Sequence, residues 1–414
     1  MPSIPTRRAR TTLAALALIA LPAAAAIGWS VHDRTPLDGA WHGIVLVDTV
    51  EVPFRFEIGE RDGALVASFF DGDRRIPSAP GTRDGTTVVF TYPSYAATLT
   101  ARVVEGRLEG QYARGTRPPL PFRATRTAEP AAKVIDAATV PSIAGLYVIP
   151  VQSPKGETAW RFIVRQQGAD VTASILRVDG DTGALTGRFD GTRFVLSHFS
   201  GARPLRLDVS PNADGTLTLV QNRSKTLTAI EAGTAGLPVP TDSAQHTIIT
   251  DRSTPLRFSF TDLDGRVVTD QDPRLRGRVV VISLTGSWCP NCHDEAPFLV
   301  ELRRAYHAQG LEVVAFSFEE AEQLADPSRL RAFVAQYGIE YPVLLAGLPS
   351  DAPSLLPQVA HLDAFPTTLF LGRDGRVRAT HTGFPSAASG EFYVRAREQM
   401  TATVERLLLE GATE

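Results

Sequence analysis

The chain has 414 residues; at roughly 100–200 residues per domain that is room for two or three domains. Apolar residues make up 43% and charged residues 21%, which excludes an intrinsically disordered chain. The formal net charge is −3 with no long run of one sign, so no nucleic-acid partner is expected.

Residues 1–30 read as a signal peptide or a membrane anchor. Arg7, Arg8 and Arg10 form a positive segment and Leu13 to Leu21 an uncharged apolar one. Pro22 with Ala23-Ala24-Ala25-Ala26 then looks like a cleavage region. Thr11 to Trp29 is also uncharged and about as long as a bilayer span, so an uncleaved anchor is the alternative. In either case the arginines stay on the cytoplasmic side and the body is exported. The expected location is the periplasm, either soluble after cleavage or tethered to the inner membrane. No cysteine follows the apolar segment, so a lipid-anchored form is not expected.

The next 200 or so positions read as all-β. Val52, Phe54, Phe56 and Ile58 alternate with Glu51, Pro53, Arg55 and Glu57, the period-two pattern of a half-buried strand. Similar alternation recurs around Leu99, Ile175 and Leu207, and Asp-Gly pairs such as Asp62-Gly63, Asp84-Gly85 and Asp190-Gly191 mark turns. A shift of 106 positions carries Phe54-Arg55-Phe56 onto Trp160-Arg161-Phe162 and Asp84-Gly85-Thr86 onto Asp190-Gly191-Thr192, without a gap. Two related β modules are therefore expected, at 38–125 and 144–232, as small barrels or sandwiches with separate cores or a shared one. Trp41, Phe54, Phe56 and Trp160 are expected to be core. Ala-, Pro- and Thr-rich linkers run from Thr127 to Ser142 and from Ala232 to Ser243.

From about residue 245 to 414 strands and helices alternate. Val279 to Leu284 is a continuous apolar run, as suits a buried central strand. Leu311 to Phe318, Val343 to Leu345 and Thr367 to Leu371 follow as strands, and Asp374-Gly375 turns into Val377 to Thr380. Asp294 to Ala308, Ser328 to Tyr337 and Gly390 to Leu409 look helical. This order predicts an α/β domain with a mixed sheet covered by helices.

The only two cysteines lie in Trp288-Cys289-Pro290-Asn291-Cys292, between the Val279 strand and the helix after it. In an exported chain a structural disulfide is the default reading of such a pair. A bridge spanning two residues closes too short a loop to constrain the unfolded chain much. A reversible redox pair fits better. A thiol at a helix N-terminus has its thiolate favoured by free N–H groups and the helix dipole. Cys289 is then the attacking nucleophile and Cys292, one turn inward, the resolving thiol. Pro290 fits the first turn, where its missing N–H costs nothing, and Trp288 covers one side. No metal or other cofactor is expected, because no further cysteine completes a ligand set. His293, His307, His361 and His381 are expected at the surface or as caps.

With Pro297 five residues on and Phe365-Pro366-Thr367-Thr368 further along, the motif resembles the thioredoxin superfamily, in particular its exported TlpA/ResA-like thiol-disulfide oxidoreductases. The resemblance covers about residues 250–408 and says nothing of the β modules. It implies a thioredoxin-like domain and a cis peptide before Pro366. It also implies a client-binding surface at Trp288, Phe365, Pro366 and Thr367, and an active-site loop at Pro290 and Asn291. A disulfide is implied between Cys289 and Cys292, with a buried acid at Glu320, next to Glu319, that relays a proton for the inner thiol. The implied partners are a disulfide-bearing client protein and a membrane thiol electron donor. Gly286 and Asn291 depart from the commoner family residues, so the direction of electron flow stays open.

The function expected is that of an exported protein-disulfide reductase whose β modules bind clients or dimerise. One alternative is a thiol peroxidase. Thr285 lies four residues before Cys289 rather than three, and Ser283-Leu284 rather than a proline precede it, which argues against it. The other alternative is an envelope binding protein whose β modules are the working part.

Overall fold

A computed structural model describes residues 37–126, 135–136 and 139–410. The expected signal or anchor at 1–30 lies outside the described residues, as does most of the linker from Thr127 to Ser142. Among the described residues no helix is long and apolar enough to cross a membrane.

The alternating segments of the N-terminal half form two antiparallel meanders of nine strands each. In the first, Val50–Arg61 faces its even-numbered apolar residues inward. Phe56 packs there with Trp41, Phe69, Phe90, Tyr92 and Phe122. The ladder is interrupted between Arg74–Pro77 and Thr82–Asp84. A few single bonds span the gap in place of a ladder, among them the Gly81 N–H donating to the Leu65 carbonyl at 2.7 Å and the Ala79 N–H donating to the Thr91 carbonyl at 2.8 Å, which leaves a half-barrel. In the second, Ala159–Gln167 pairs with Gly145–Pro150 on one side and with Asp170–Arg177 on the other. Gly145–Pro150 pairs on to Lys225–Glu231, so the ring of strands closes. A closed barrel leaves no unpaired edge.

The all-β half is duplicated: the third strands, Ala64–Asp71 and Asp170–Arg177, begin at positions 64 and 170 and hold equivalent places. Each region has its own apolar core. The cores are joined at one point, where Phe199 and Ala202 of the second region enter the first core. The Phe199 ring lies 4.7 Å from Phe54 and 5.1 Å from Tyr112, centroid to centroid. The Tyr112 hydroxyl donates to the Gly201 carbonyl at 2.7 Å.

The C-terminal part is a mixed sheet of seven strands. Val279–Thr285 is central and buried at every residue, parallel to Leu311–Phe318 and antiparallel to Thr367–Leu371. Val343–Gly347 continues the parallel side, and Val377–Thr382 closes the other edge. The helices Pro290–Tyr306, Ser328–Tyr337 and Glu391–Leu409 flank the sheet. The apolar clusters on its two faces hold no residue from the β half.

Candidate active site

The central strand ends at Thr285, and the turn through Gly286-Ser287-Trp288 leads directly into the helix Pro290–Tyr306. The helix therefore starts earlier than the apolar pattern after Asp294 suggested. Pro290 takes its first position and Cys289 is the cap. The Cys292 backbone N–H donates to Cys289 Sγ at 3.3 Å, and the Cys289 thiol donates to the Phe365 carbonyl at 3.4 Å. Both cysteines are free thiols and are buried, at 0% and 1% exposure. Burial, then the neighbouring Cys289, pushes the Cys292 thiol well above the usual thiol range.

The Phe365–Pro366 peptide is cis. Phe365 and Trp288 meet edge to face at 5.6 Å, and the Trp288 indole N–H donates to the Phe318 carbonyl at 2.8 Å. Thr367 is buried, and its hydroxyl donates back to the Ala364 carbonyl at 2.8 Å. The structure thus brings Trp288, Cys289, Phe365 and Pro366 to one place.

Glu320 does not join them. It caps the short helix Ala321–Ala325 and is paired with Arg329 at 2.7 Å and Arg117 at 3.0 Å. Partial burial works against its ionisation, but Arg329 and Arg117 outweigh it and hold the carboxyl below the ordinary range. Its neighbour Glu319 is the buried one. It accepts from the Ser287 N–H, the Ser287 hydroxyl and the Ser317 hydroxyl, each at 2.7 Å, and from Arg329 at 2.9 Å. This pair braces the turn before Trp288.

The acid beside the inner thiol is Glu295, three residues after Cys292 and so on the same helix face. The two line one small cavity with Ser283 and Thr285. The Ser283 and Thr368 hydroxyls each donate to Glu295 at 2.6 Å. Burial pushes its carboxyl up to about 7. The sequence does not single out Glu295, because an acid inside a helix ordinarily faces water. The available signal was its spacing from Cys292 in a helix starting at Pro290.

His293 and His381 are buried, not surface residues. His293 Nε2 donates to the Ser287 carbonyl and Nδ1 accepts from the Tyr337 hydroxyl, both at 2.9 Å. Burial lowers its pKa to about 3, so the ring is neutral. Among the described residues no cluster of side chains is arranged to hold a metal ion.

A family model described as Redoxin matches residues 236–391. The thiol-disulfide oxidoreductase ResA of Bacillus anthracis is 29% identical over 120 residues, 29% of this chain and 62% of that protein. ResA of Halalkalibacterium halodurans is 29% identical over 130 residues, 31% of this chain and 66% of that protein. The chain thus spans under two thirds of the length of these relatives. A solved structure described as a putative thiol:disulfide interchange protein DsbE from Chlorobium tepidum is 26% identical, with a TM-score of 0.28. That match covers 36% of this chain and 93% of the other. The C-terminal domain of this chain is a ResA/TlpA-like domain of the thioredoxin superfamily.

Proposed function

We propose that the chain is an exported thiol-disulfide oxidoreductase, acting as a protein-disulfide reductase. What carries this reading is a capping thiol, Cys289, with the Cys292 N–H aimed at its sulfur and a buried acid, Glu295, beside Cys292. The Cys289 thiolate attacks one sulfur of a client disulfide, forming a mixed disulfide and expelling the other client sulfur as a thiolate. Glu295 takes the Cys292 proton. The Cys292 thiolate then attacks Cys289 sulfur, releasing the second client thiolate and closing the Cys289–Cys292 disulfide. Two electrons have passed to the client, whose thiolates collect the two protons. A membrane dithiol donor then restores the reduced pair. Trp288, Phe365, Pro366 and Thr367 form the client-facing wall, Pro290 and Asn291 the loop between the thiols. The targeting pattern at residues 1–30 supports export, and the apolar clusters centred on 38–125, 144–232 and 245–414 support three domains, the first two joined through Phe199 and Ala202. Recruitment of clients or dimerisation is the part assigned to the β regions.

Glu295→Gln tests the proton relay. Loss of a positioned acid–base group costs about 10²–10⁴-fold, so a trapped mixed disulfide in this variant should resolve at least a hundredfold more slowly. The variant should also alter the pH dependence of stability. The carboxyl titrates near 4.5 when unfolded and about 7 when folded. Its contribution is fully present below the lower value and is lost as pH rises through the upper one. The step is about 3 kcal/mol at about 1.36 kcal/mol per unit. Urea midpoints at pH 5 and pH 8 should differ less in the glutamine variant than in the parent. Equal pH dependence in the two chains would remove Glu295 from this role.

A further inference from the structure

Both thiols are buried, yet exchange needs a second sulfur to approach Cys289. Much of what lies against the active-site loop comes from the β half. From the first region, Arg114 donates to the Trp288 carbonyl at 2.7 Å and Arg74 pairs with Asp294 at 2.7 Å. Tyr95 stacks on His293, with ring centroids 4.3 Å apart and planes 10° from parallel. From the second region, Arg203 donates to Asn291 Oδ1 at 3.1 Å, and Asn291 Nδ2 donates to the Asp181 carbonyl at 3.1 Å. Gly180 makes a one-residue parallel bridge to Phe384, and the Gly383 N–H donates to the Pro366 carbonyl at 2.7 Å. The β half therefore touches the loop between the thiols, the residues on both sides of them and the segment beside Pro366.

Resting on the exchange reading above, we propose that the two β regions together form a movable cover over the dithiol, and that Cys289 meets a client disulfide only when this cover lifts. Three observations carry it. Phe199 and Ala202 lock the two regions into one body. The apolar clusters of the redox domain draw no residue from the β half, so that domain stays folded when the cover lifts. The ties across the seam at the loop are mainly hydrogen bonds and ion pairs. Such bonds are exchanged for bonds to water when the seam parts, so parting them is cheaper than global unfolding and yields a local opening. Asn291 is the central tie of the seam. It stands between the thiols and spends its side chain on the β half.

The seam also explains a glycine. Gly180 has φ +116°, which L side chains rarely adopt, and a Cβ there would lie 2.5 Å from Asn291 Nδ2 and from the Phe384 carbonyl. Only a residue without a side chain lets the barrel rest this close to the loop.

Labelling with iodoacetamide tests the cover. A Cys292→Ser chain holds one thiol, so mass-resolved labelling reads Cys289 alone. The expected result for the full chain is labelling at least a hundredfold slower folded than in denaturant at the same pH. Adding Arg114→Ala and Arg203→Ala should raise the folded rate at least tenfold while the melting transition of the redox domain persists. Gly180→Ala, which wedges the seam instead of cutting its ties, should do the same. Labelling of the folded parent at the denatured rate would overturn the cover, as would an unchanged rate in both folded variants. The two readings fail separately. A protected Cys289 released by these variants in a chain that reduces no disulfide upholds the cover and removes the oxidoreductase. Disulfide reduction by a chain whose Cys289 is freely labelled does the reverse.

Discussion

Replacing Cys289 by serine should abolish disulfide reduction, lowering it by more than about a thousandfold, because a hydroxyl is neither ionised near neutral pH nor as strong a nucleophile as a thiolate. Replacing Cys292 by serine should have a different outcome. The first attack proceeds and the second cannot, so the chain accumulates as a mixed disulfide with its client through Cys289. Non-reducing gels and mass spectrometry of the trapped species would show this and name the client. The asymmetry follows from position. Cys289 caps the helix and faces Phe365, whereas Cys292 is one turn in and is held protonated by burial. Trapping through Cys292 in a Cys289→Ser chain would reverse the two roles. Rapid peroxide consumption by the reduced parent, without disulfide reduction, would favour the peroxidase alternative.

Removal of the Arg329 guanidinium should be the most damaging single change outside the thiols. Arg329 is 2% exposed and Glu319 is fully buried, and the two are 2.9 Å apart. The same guanidinium donates to the Ser287 hydroxyl at 2.7 Å and to Glu320 at 2.7 Å. Arg329→Met would leave the Glu319 carboxylate buried without a counter-charge, a loss of about 3–5 kcal/mol. Glu319 carries the Ser287 N–H that sets the turn into Trp288, so exchange activity should fall as well. Replacing both members, Glu319→Leu with Arg329→Met, should recover much of the stability, since an apolar pair of similar volume is often as stable as a buried ion pair. The recovered chain should remain poor in exchange because the turn has lost its acceptor. Denaturant melts of the two single variants and the double variant form the cycle that measures this. Additive losses would mean that the pair is not coupled.

Much of the fold follows from patterns within a few residues. Alternation along Val50–Arg61 and the apolar run at Val279–Thr285 mark their strands, because side-chain period and burial are local properties of a strand. The duplication was legible for the same reason, since the two meanders keep one order of strands and turns. Two histidines were misplaced. His293 and His381 are buried among elements distant in sequence, and nothing in their immediate neighbours signals it. From sequence the buried acid is expected at Glu320, whose place after an apolar strand is suggestive. In the fold, Glu320 faces Arg117, 203 positions earlier, as well as Arg329, while Glu295 stays inside.

The dithiol itself was determined by sequence alone. Two cysteines and a proline at a strand-to-helix junction place two thiols side by side, because a helical turn brings positions three apart together whatever the rest of the chain does. Tertiary structure decided what surrounds it. Asp181 meets Ser386 across 205 positions, Arg114 reaches Trp288 across 174, and Arg203 reaches Asn291 across 88. Such contacts depend on how separate domains dock, and docking is governed by the shape and charge of whole surfaces, for which no local sequence pattern stands.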